Sequence, residues 1–240
     1  MNKKNITFSS NEFVLRGTLH LPTTERPPVV IGSHGLFSSS SSPKQVALAK
    51  QCNACGIAFF RFDHRGCGQS NGIFKDVTSL ETRCNDLISA IKIIQKRKDT
   101  GNRIGLFGSS MGGTVCLSVF AESDVYSIVT CAAPVRSNSI IKKLEKSEDS
   151  DLMNPPFYKR YLESDISDKL SHVHHILIFH GDSDDLVPLL NAKEINEKAG
   201  DPKKLIIQKG GDHRMSNKTH RETFVRESAL WFKSCFDGAI

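Results

Sequence analysis

The sequence lacks an apolar run long enough to cross a membrane, and its first residues lack the apolar core of a secretory signal. Lys3 and Lys4 are followed by polar residues such as Ser9 and Asn11. From these absences we expect a soluble protein with no signal peptide and no membrane partner.

The charge is not concentrated in one sign. Lysine and arginine number 32 and aspartate and glutamate 26, which gives a formal net charge of +6. A nucleic-acid binder usually gathers its basic residues on one face or along one helix. Because the basic residues here are interspersed with acidic ones, the composition predicts no nucleic-acid partner.

The cysteines lack the pattern of a disulfide framework. They number seven, and several, such as Cys116 and Cys131, lie in apolar stretches. Such usage is typical of small buried side chains in a reducing compartment, so we expect a cytoplasmic protein. Cys52 and Cys55 form a C-x-x-C pair, but no second pair lies at metal-ligand spacing. We interpret them as two helical cysteines one turn apart, and we expect no metal and no cofactor.

Short apolar runs alternate with segments of helical periodicity along most of the chain. The pattern predicts strands at 29–34, 57–62, 103–107, 126–132, 176–180 and 204–208, and helices at 80–95, 111–121, 189–199 and 217–236, with another beginning at residue 43. Such alternation predicts an α/β fold, a mostly parallel sheet with helices on both faces. Residues 6–21 add an antiparallel hairpin at one edge. The length of 240 residues fits a single domain over 1–240.

One stretch, from 136 to 170, interrupts this alternation. It is charged and poorly periodic, and long connections in compact domains tend to be lids or binding loops. We therefore predict a small cap insert at 136–170. Its basic residues include Lys142, Lys143, Lys159 and Arg160, and its acidic residues include Glu145, Glu148, Asp149 and Asp151.

The pentapeptide GSSMG at 108–112 stands between a predicted strand and a predicted helix. In this context the G-x-S-x-G pattern predicts a nucleophile on a sharp strand-to-helix turn, here Ser110. We expect glycine at 108 and 112 because side chains there would collide across the turn. The helix N-terminus would direct backbone N–H groups towards a developing oxyanion.

A serine hydroxyl needs a base within hydrogen-bond reach to become a nucleophile. His213 follows the strand at 204–208 in a glycine-bearing loop, where a parallel sheet places loops beside its carboxyl edge. Asp184 follows the strand at 176–180 and is the predicted acid, whereas Asp182 and Asp185 are interpreted as turn-forming or helix-capping residues. The order serine, aspartate, histidine is that of α/β hydrolases.

The strand at 29–34 ends in a loop that would lie across from Ser110. We assign one oxyanion donor to the backbone N–H of Leu36, with Phe37 as the alternative, and the other to that of Met111. We interpret His34 as a hydrogen-bonded structural residue.

Four motifs follow one another along the chain. They are HGL at 34–36, DHRGCGQS at 63–70, GSSMGG at 108–113, and HGDSD at 180–184 followed by GDH at 211–213. Together they resemble the α/β-hydrolase family, and within it the serine-aminopeptidase-like and cinnamoyl or feruloyl-esterase-like group. The resemblance implies the α/β-hydrolase fold and implies that Ser110, Asp184, His213, Leu36 and Met111 keep the family's roles. The 63–70 motif resembles the D-x-R-G-x-G-x-S turn after the fourth strand of such enzymes, and we interpret it as structural.

These residues predict a serine hydrolase that cleaves a small-molecule ester of a small acyl or aryl group through an acyl-Ser110 intermediate. A thioesterase remains an alternative, because the basic residues of the insert would suit coenzyme A phosphates. An aminopeptidase is another, because its acidic residues would suit an ammonium group. A non-catalytic ligand-binding scaffold is the alternative of another class. We expect a monomer or a homodimer.

Overall fold

In the computed structural model of the protein, eight strands of the described residues form one sheet. The structure describes residues 2–137 and 163–240. The strands are β1 (Asn2–Ser10), β2 (Phe13–Leu21), β3 (Val29–Ser33), β4 (Ala58–Phe62), β5 (Ile104–Ser109), β6 (Ser127–Cys131), β7 (Ile176–Gly181) and β8 (Lys203–Gln208). The described helices are α1 (Pro43–Ala54), α2 (Phe74–Val77), α3 (Leu80–Gln95), α4 (Met111–Phe120), α5 (Leu190–Lys198) and α6 (Lys218–Asp237).

The strand order is β1-β2-β4-β3-β5-β6-β7-β8. The six strands from β3 to β8 are mutually parallel, and the β1–β2 hairpin joins β4 in antiparallel pairing. The predicted mostly parallel sheet with an antiparallel N-terminal edge is therefore confirmed. All parallel strands end at one edge of the sheet, and the loops that follow them build the site described below.

Successive side chains of the parallel strands enter two separate cores. In β3, Val29 and Ile31 pack with α3, α4 and α5, whereas Val30 packs with α1 and α6 on the opposite face. Because β-strand side chains alternate between faces, an unbroken apolar strand fills both cores at once. This explains why β3 is buried along its whole length, and it confirms helices on both faces.

Local capping determines where the helices begin. Ser42 accepts a hydrogen bond from the N–H of Gln45 at the start of α1, and Ser79 and Thr82 form a capping box at α3. Side-chain oxygens at these positions satisfy N–H groups that have no partner within the helix. The predicted bounds 80–95 and 217–236 agree with α3 and α6 to within one residue. The one-turn α2 was not predicted.

Both ends of the predicted 136–170 cap lie on the described part of the chain, and they are joined. Arg136 and Asp165 form an isolated antiparallel bridge, and the N–H of Ser137 donates to the carbonyl of Ser164 at 3.1 Å. Residues 138–162, including Lys142, Lys143, Lys159, Arg160, Glu145, Glu148, Asp149 and Asp151, lie outside the described residues. Within 2–137 and 163–240, none of the helices has the length and apolar character needed to cross a bilayer.

Candidate active site

Ser110 lies on the turn between β5 and α4, as its motif predicts. Its backbone has φ 53° and ψ −128°, a conformation that costs a non-glycine residue free energy and is held by its surroundings. The N–H of Ser110 donates to the carbonyl of Cys131 on the neighbouring β6 at 2.8 Å. The carbonyl of Ser110 accepts from the N–H of Gly113 at 2.7 Å. These two bonds fix the turn.

The glycines flanking Ser110 permit two different close approaches. A Cβ on Gly108 would lie 2.3 Å from the carbonyl oxygen of Gly112, across the turn as predicted. A Cβ on Gly112 would instead lie 2.2 Å from the carbonyl oxygen of Ser33, at the end of β3. The predicted collision partner for Gly112 was therefore wrong, because this glycine lets α4 approach the neighbouring strand.

Ser110, His213 and Asp184 form a continuous hydrogen-bonded line. The Nε2 of His213 lies 3.1 Å from Ser110 Oγ, and its Nδ1 lies 2.8 Å from Asp184 Oδ2. A carboxylate can only accept, so Nδ1 carries the proton and the Nε2 lone pair is available to the serine hydroxyl. This tautomer is the one in which His213 can act as a base.

The side chain of Asp184 is buried, and both of its oxygens are hydrogen-bonded. Its Oδ1 accepts from the N–H groups of Leu186 at 3.0 Å and Val187 at 2.8 Å. Burial alone would raise the pKa of this carboxyl, but the hydrogen bond and charge of His213, with the N–H of Val187, bring the pKa below its ordinary value. Asp184 therefore stays ionised opposite the His213 ring.

The loops that carry the acid and the base are bonded to each other. The N–H of Ser183 donates to the carbonyl of Gly211 at 3.0 Å, and Asp182 Oδ1 accepts from the N–H of Gly210 at 2.6 Å. A Cβ on Gly181 would lie 2.1 Å from the carbonyl oxygen of Gly211. Asp182 thus joins the loop that carries Asp184 to the loop that carries His213.

The segment 34–37, which carries the predicted oxyanion donor, lies against Ser110. A Cβ on Gly35 would be 3.5 Å from the Cβ of Ser110. The fully buried Arg83 of α3 extends its guanidinium to this segment, and it donates to the carbonyls of His34 at 3.2 Å and Leu36 at 3.0 Å. Arg83 Nη1 also donates to the carbonyl of Gly35 at 3.3 Å. Because a peptide group is planar, this bond also orients the N–H of Leu36.

Two buried histidines hold this segment in place: His34, its first residue, and His64, which lies beside it. His34 Nε2 accepts from the backbone N–H of His64 at 3.2 Å, and its Nδ1 lies 2.8 Å from the carbonyl of Gly35. Burial lowers the pKa of His34 well below its ordinary value and that of His64 to about 4. Both rings are therefore neutral and serve as hydrogen-bonded supports.

The 63–70 turn forms a buried ion pair and a capped loop. Arg65 binds Asp86 of α3 through Nε at 2.9 Å and Nη2 at 2.7 Å. Asp63 accepts from the N–H groups of Ser40 at 2.6 Å and Gln69 at 3.0 Å. These bonds join the turn to α3 and to the loop after β3, so its residues position the site from outside it.

A pocket of about 620 Å³ opens over Ser110. Its described lining includes Leu36, Met111, Ser110 and His213, which are four of the five predicted site residues; Asp184 lies behind His213. A second, more apolar hollow of about 390 Å³ shares Leu36 with the first. Met111 is the first residue of α4, and the first N–H groups of a helix have no partner within the helix.

Cys52 and Cys55 are free thiols near the end of α1. Burial raises the pKa of Cys52 well above its ordinary value, which keeps it protonated and unreactive. Among residues 2–137 and 163–240 no cluster of three histidine, cysteine or acidic side chains has the arrangement of a metal site.

Sequence reasoning did not identify Arg83 or the positioning function of Asp182. Arg83 falls in register with Leu87 and Ile94 on the buried face of α3, and a cation at an apolar position of a helix was the available signal. Asp182 gave no such signal, since its contact with Gly210 spans 28 residues of sequence.

The family described as "Serine aminopeptidase, S33" matches residues 24–175 of this chain. Among curated proteins, the chain is similar to "Palmitoyl-protein thioesterase ABHD10, mitochondrial" of Mus musculus, at 26% identity over 80% of this chain and 71% of that protein. It is also similar to "Uncharacterized protein YfhR" of Salmonella typhi, at 29% identity over 88% of this chain and 74% of that protein.

Solved structures share the fold. The ferulic acid complex of Est1E from Butyrivibrio proteoclasticus superimposes with a TM-score of 0.80 at 21% identity, covering 97% of this chain and 99% of that one. The esterase PF2001 of Pyrococcus furiosus superimposes with a TM-score of 0.84 at 18% identity, covering 98% and 91%. At these identities the likeness concerns the fold alone.

Proposed function

Because the chain belongs to the serine aminopeptidase S33 family of α/β hydrolases, we propose that it is a serine hydrolase that cleaves a carboxylic ester of a small acyl or aryl group. The proposal rests above all on the hydrogen-bonded line from Ser110 through His213 to Asp184, with separations of 3.1 and 2.8 Å. In this proposal Ser110 is the nucleophile, His213 the base and Asp184 the residue that orients it.

Acylation begins when His213 Nε2 takes the Ser110 hydroxyl proton and Ser110 Oγ bonds to the ester carbonyl carbon. The carbonyl oxygen becomes an oxyanion, which the N–H groups of Leu36 and Met111 stabilise. Asp184 stabilises the charged imidazolium and holds its orientation. The oxyanion then collapses, the bond to the alcohol oxygen breaks, and His213 returns the proton to that oxygen as the alcohol leaves.

Deacylation repeats these steps with water. His213 Nε2 accepts one proton of the water, and the hydroxide oxygen bonds to the acyl carbon. When the second oxyanion collapses, the bond between the acyl carbon and Ser110 Oγ breaks. His213 then gives its proton to Ser110 Oγ, and the carboxylic acid is released.

A thioester is the second candidate substrate. The similarity to a palmitoyl-protein thioesterase favours it, and the same residues would expel a thiol in place of an alcohol. For an amide, as in an aminopeptidase, His213 would have to protonate a poorer leaving group. A non-catalytic scaffold is the interpretation that would follow if Ser110 proved unreactive.

We also propose a reducing compartment such as the cytoplasm. All seven cysteines are free in the fold, and proteins of oxidising compartments usually pair their cysteines.

The test combines covalent labelling with turnover. We expect a fluorophosphonate to modify Ser110, identified by mass spectrometry of the labelled peptide, and a series of p-nitrophenyl and thiol esters to be hydrolysed. Ser110→Ala should lose the label and at least about 10⁴-fold in kcat, because the nucleophile is gone while the fold remains.

Ser123→Ala is the matched control, because Ser123 follows the opposite end of α4 from Ser110. It should label and turn over like the wild type. A folded wild-type protein that neither labels nor hydrolyses any ester would refute the proposal and leave the scaffold interpretation.

A further inference from the structure

The described wall of the pocket over Ser110 is positively charged. Lys44, Arg214 and Arg221 line it, and no aspartate or glutamate does so among the described residues. Asp184 lies behind the wall, and its negative charge is separated from the pocket by the His213 ring to which it is hydrogen-bonded. The described part of this wall therefore carries three formal positive charges.

The three cations have no carboxylate partner on the described part of the chain, which distinguishes them from many others there. Arg136 pairs with Glu194, Lys169 with Glu122, and Lys204 with Glu227. Surface cations with nearby acids of this kind are neutralised locally. Lys44, Arg214 and Arg221 form no such ion pair with a described carboxylate, so less of their positive field is cancelled at the cavity.

Lys44 is in the first turn of α1 and is half-buried. Its Nζ lies 3.9 Å from the Sγ of Cys131, whose thiol stays protonated because burial raises its pKa. The first turn of α1 contains no acidic residue, so the helix dipole adds to the positive potential there.

Arg221 is in the first turn of α6 and Arg214 follows His213 directly. Arg221 Nη1 donates to the carbonyl of Ser216 at 3.1 Å, which orients the guanidinium without neutralising it. Arg214 is exposed at the pocket wall. A guanidinium presents several donors in one plane and suits carboxylate or phosphate oxygens.

Hydroxyl groups accompany these charges. Ser38, Ser42 and Ser216 also line the pocket, and each can donate a hydrogen bond to an anionic oxygen. Cations and hydroxyl donors without an acid among the described lining would favour an anion and disfavour an ammonium group.

We propose that the natural substrate carries an anionic group, a carboxylate or a phosphate, on the part that occupies this wall, and that Lys44, Arg214 and Arg221 select for it. This inference rests on the proposed function of Ser110 and narrows its substrate class. The same three positive charges would disfavour substrates with a free amino group.

The first experiment varies the charge at the end of the acyl chain. The probes are p-nitrophenyl butyrate, the mono-p-nitrophenyl ester of glutaric acid, and p-nitrophenyl 4-(trimethylammonio)butanoate. Each rate is corrected for the rate in the same buffer without enzyme, which for the glutarate ester includes attack by its own carboxylate. We expect kcat/KM in the order anionic, neutral, cationic, with about tenfold between the first and the last and a smaller ratio at 0.5 M salt. A second arm places a carboxylate or a phosphate on the alcohol to distinguish the two anions and the two sides of the ester.

Arg214→Gln and Lys44→Gln should each reduce the anionic-to-neutral ratio about three- to fivefold through KM. Lys218→Gln is the matched control, because it removes the same charge from α6 at a site that does not line the pocket. It should keep the wild-type ratio. Equal ratios for all three variants would overturn the assignment of these residues.

Binding to Ser110→Ala separates this inference from the proposed function, because it requires no turnover. Calorimetry should show tighter binding of the glutarate monoester than of the butyrate ester, and Arg214→Gln in the same background should remove the difference. Turnover of neutral esters with no anion preference in either assay would overturn the inference and leave the serine hydrolase standing. Anion preference in binding without turnover would refute the hydrolase and retain the anion site.

Discussion

Arg83 places a positive charge in the interior of the protein, where it is hydrogen-bonded to backbone carbonyls. It is fully buried, and its Nη1 and Nη2 donate to the carbonyls of His34, Gly35 and Leu36 at 3.0 to 3.3 Å. A carbonyl left without its donor in such a place costs about 1–3 kcal/mol. Arg83 is therefore a positioning residue for the proposed donor N–H of Leu36.

We predict that Arg83→Met reduces kcat about 10- to 100-fold while changing KM by less than about threefold, since the donor acts on the transition state. Arg83→Lys should recover part of kcat because an ammonium can reach one of the carbonyls. Steady-state kinetics on a neutral ester measures both. If the melting temperature falls while kcat remains normal, Arg83 supports the fold alone.

At the scale of single residues, the sequence predicted those that stand in a recognisable motif or directly after a strand. Ser110 stands in a pentapeptide with its own steric logic, and His213 and Asp184 each follow a strand end, so their proximity could be predicted from the parallel topology. Arg83 could not be assigned in the same way. Its partners are carbonyls of a segment about 48 residues earlier, and carbonyls leave no mark on a sequence.

The β5–α4 turn is an element whose geometry leaves no room for change. A Cβ at Gly108 would meet the backbone of Gly112 at 2.3 Å, and backbone atoms cannot rotate away. We predict that Gly108→Ala destabilises the protein by about 1–3 kcal/mol and abolishes labelling of Ser110. Urea denaturation and fluorophosphonate labelling measure the two effects.

Gly200→Ala is the comparison for this variant. A Cβ there would have its nearest neighbours at 3.7 Å, an ordinary contact, so its midpoint and labelling should stay close to those of the wild type. A Gly108→Ala protein with normal stability and labelling would show that the turn can relax.

Among the elements, the long helices and the buried strands were predictable because their periodicity is strong. The strand predicted at 126–132 is observed as Ser127–Cys131, a difference at the ends, where few hydrogen bonds decide the limit. The α2 turn was missed because four residues, Phe74–Val77, are too short to show a helical period.

The whole molecule holds several histidines in the neutral state. Burial is the largest cause in each case: it lowers the pKa of His20 and His64 from 6.5 to about 4, and lowers those of His34 and His180 as well. Between pH 6.5 and 4 the unfolded chain binds protons at these positions that the folded protein does not. The free energy of unfolding therefore decreases as the pH falls through this window, by about 1.4 kcal/mol per pH unit for each such proton.

Urea denaturation at pH 7.5, 6 and 5 checks this expectation, with the midpoint falling at each step. His20→Gln removes one of the titrating side chains, so the free energy of unfolding of this variant should depend less steeply on pH than that of the wild type. Its side-chain oxygen can still accept from Arg61, as His20 Nε2 does at 2.9 Å. A flat midpoint from pH 7.5 to 5 would contradict the neutral state of these rings.

The bridge between Arg136 and Asp165 affects how the sequence between these residues can change in evolution. The N–H of Ser137 donates to the carbonyl of Ser164, and the N–H of Ser164 donates to Ser137 Oγ. Joining two points of a chain costs only about 0.6 kcal/mol more for each doubling of the length between them. These bonds therefore hold Ser137 and Ser164 together at the edge of the pocket over Ser110. We therefore expect that the sequence between residues 137 and 164 can be replaced by others of different length without changes in the strands of the sheet.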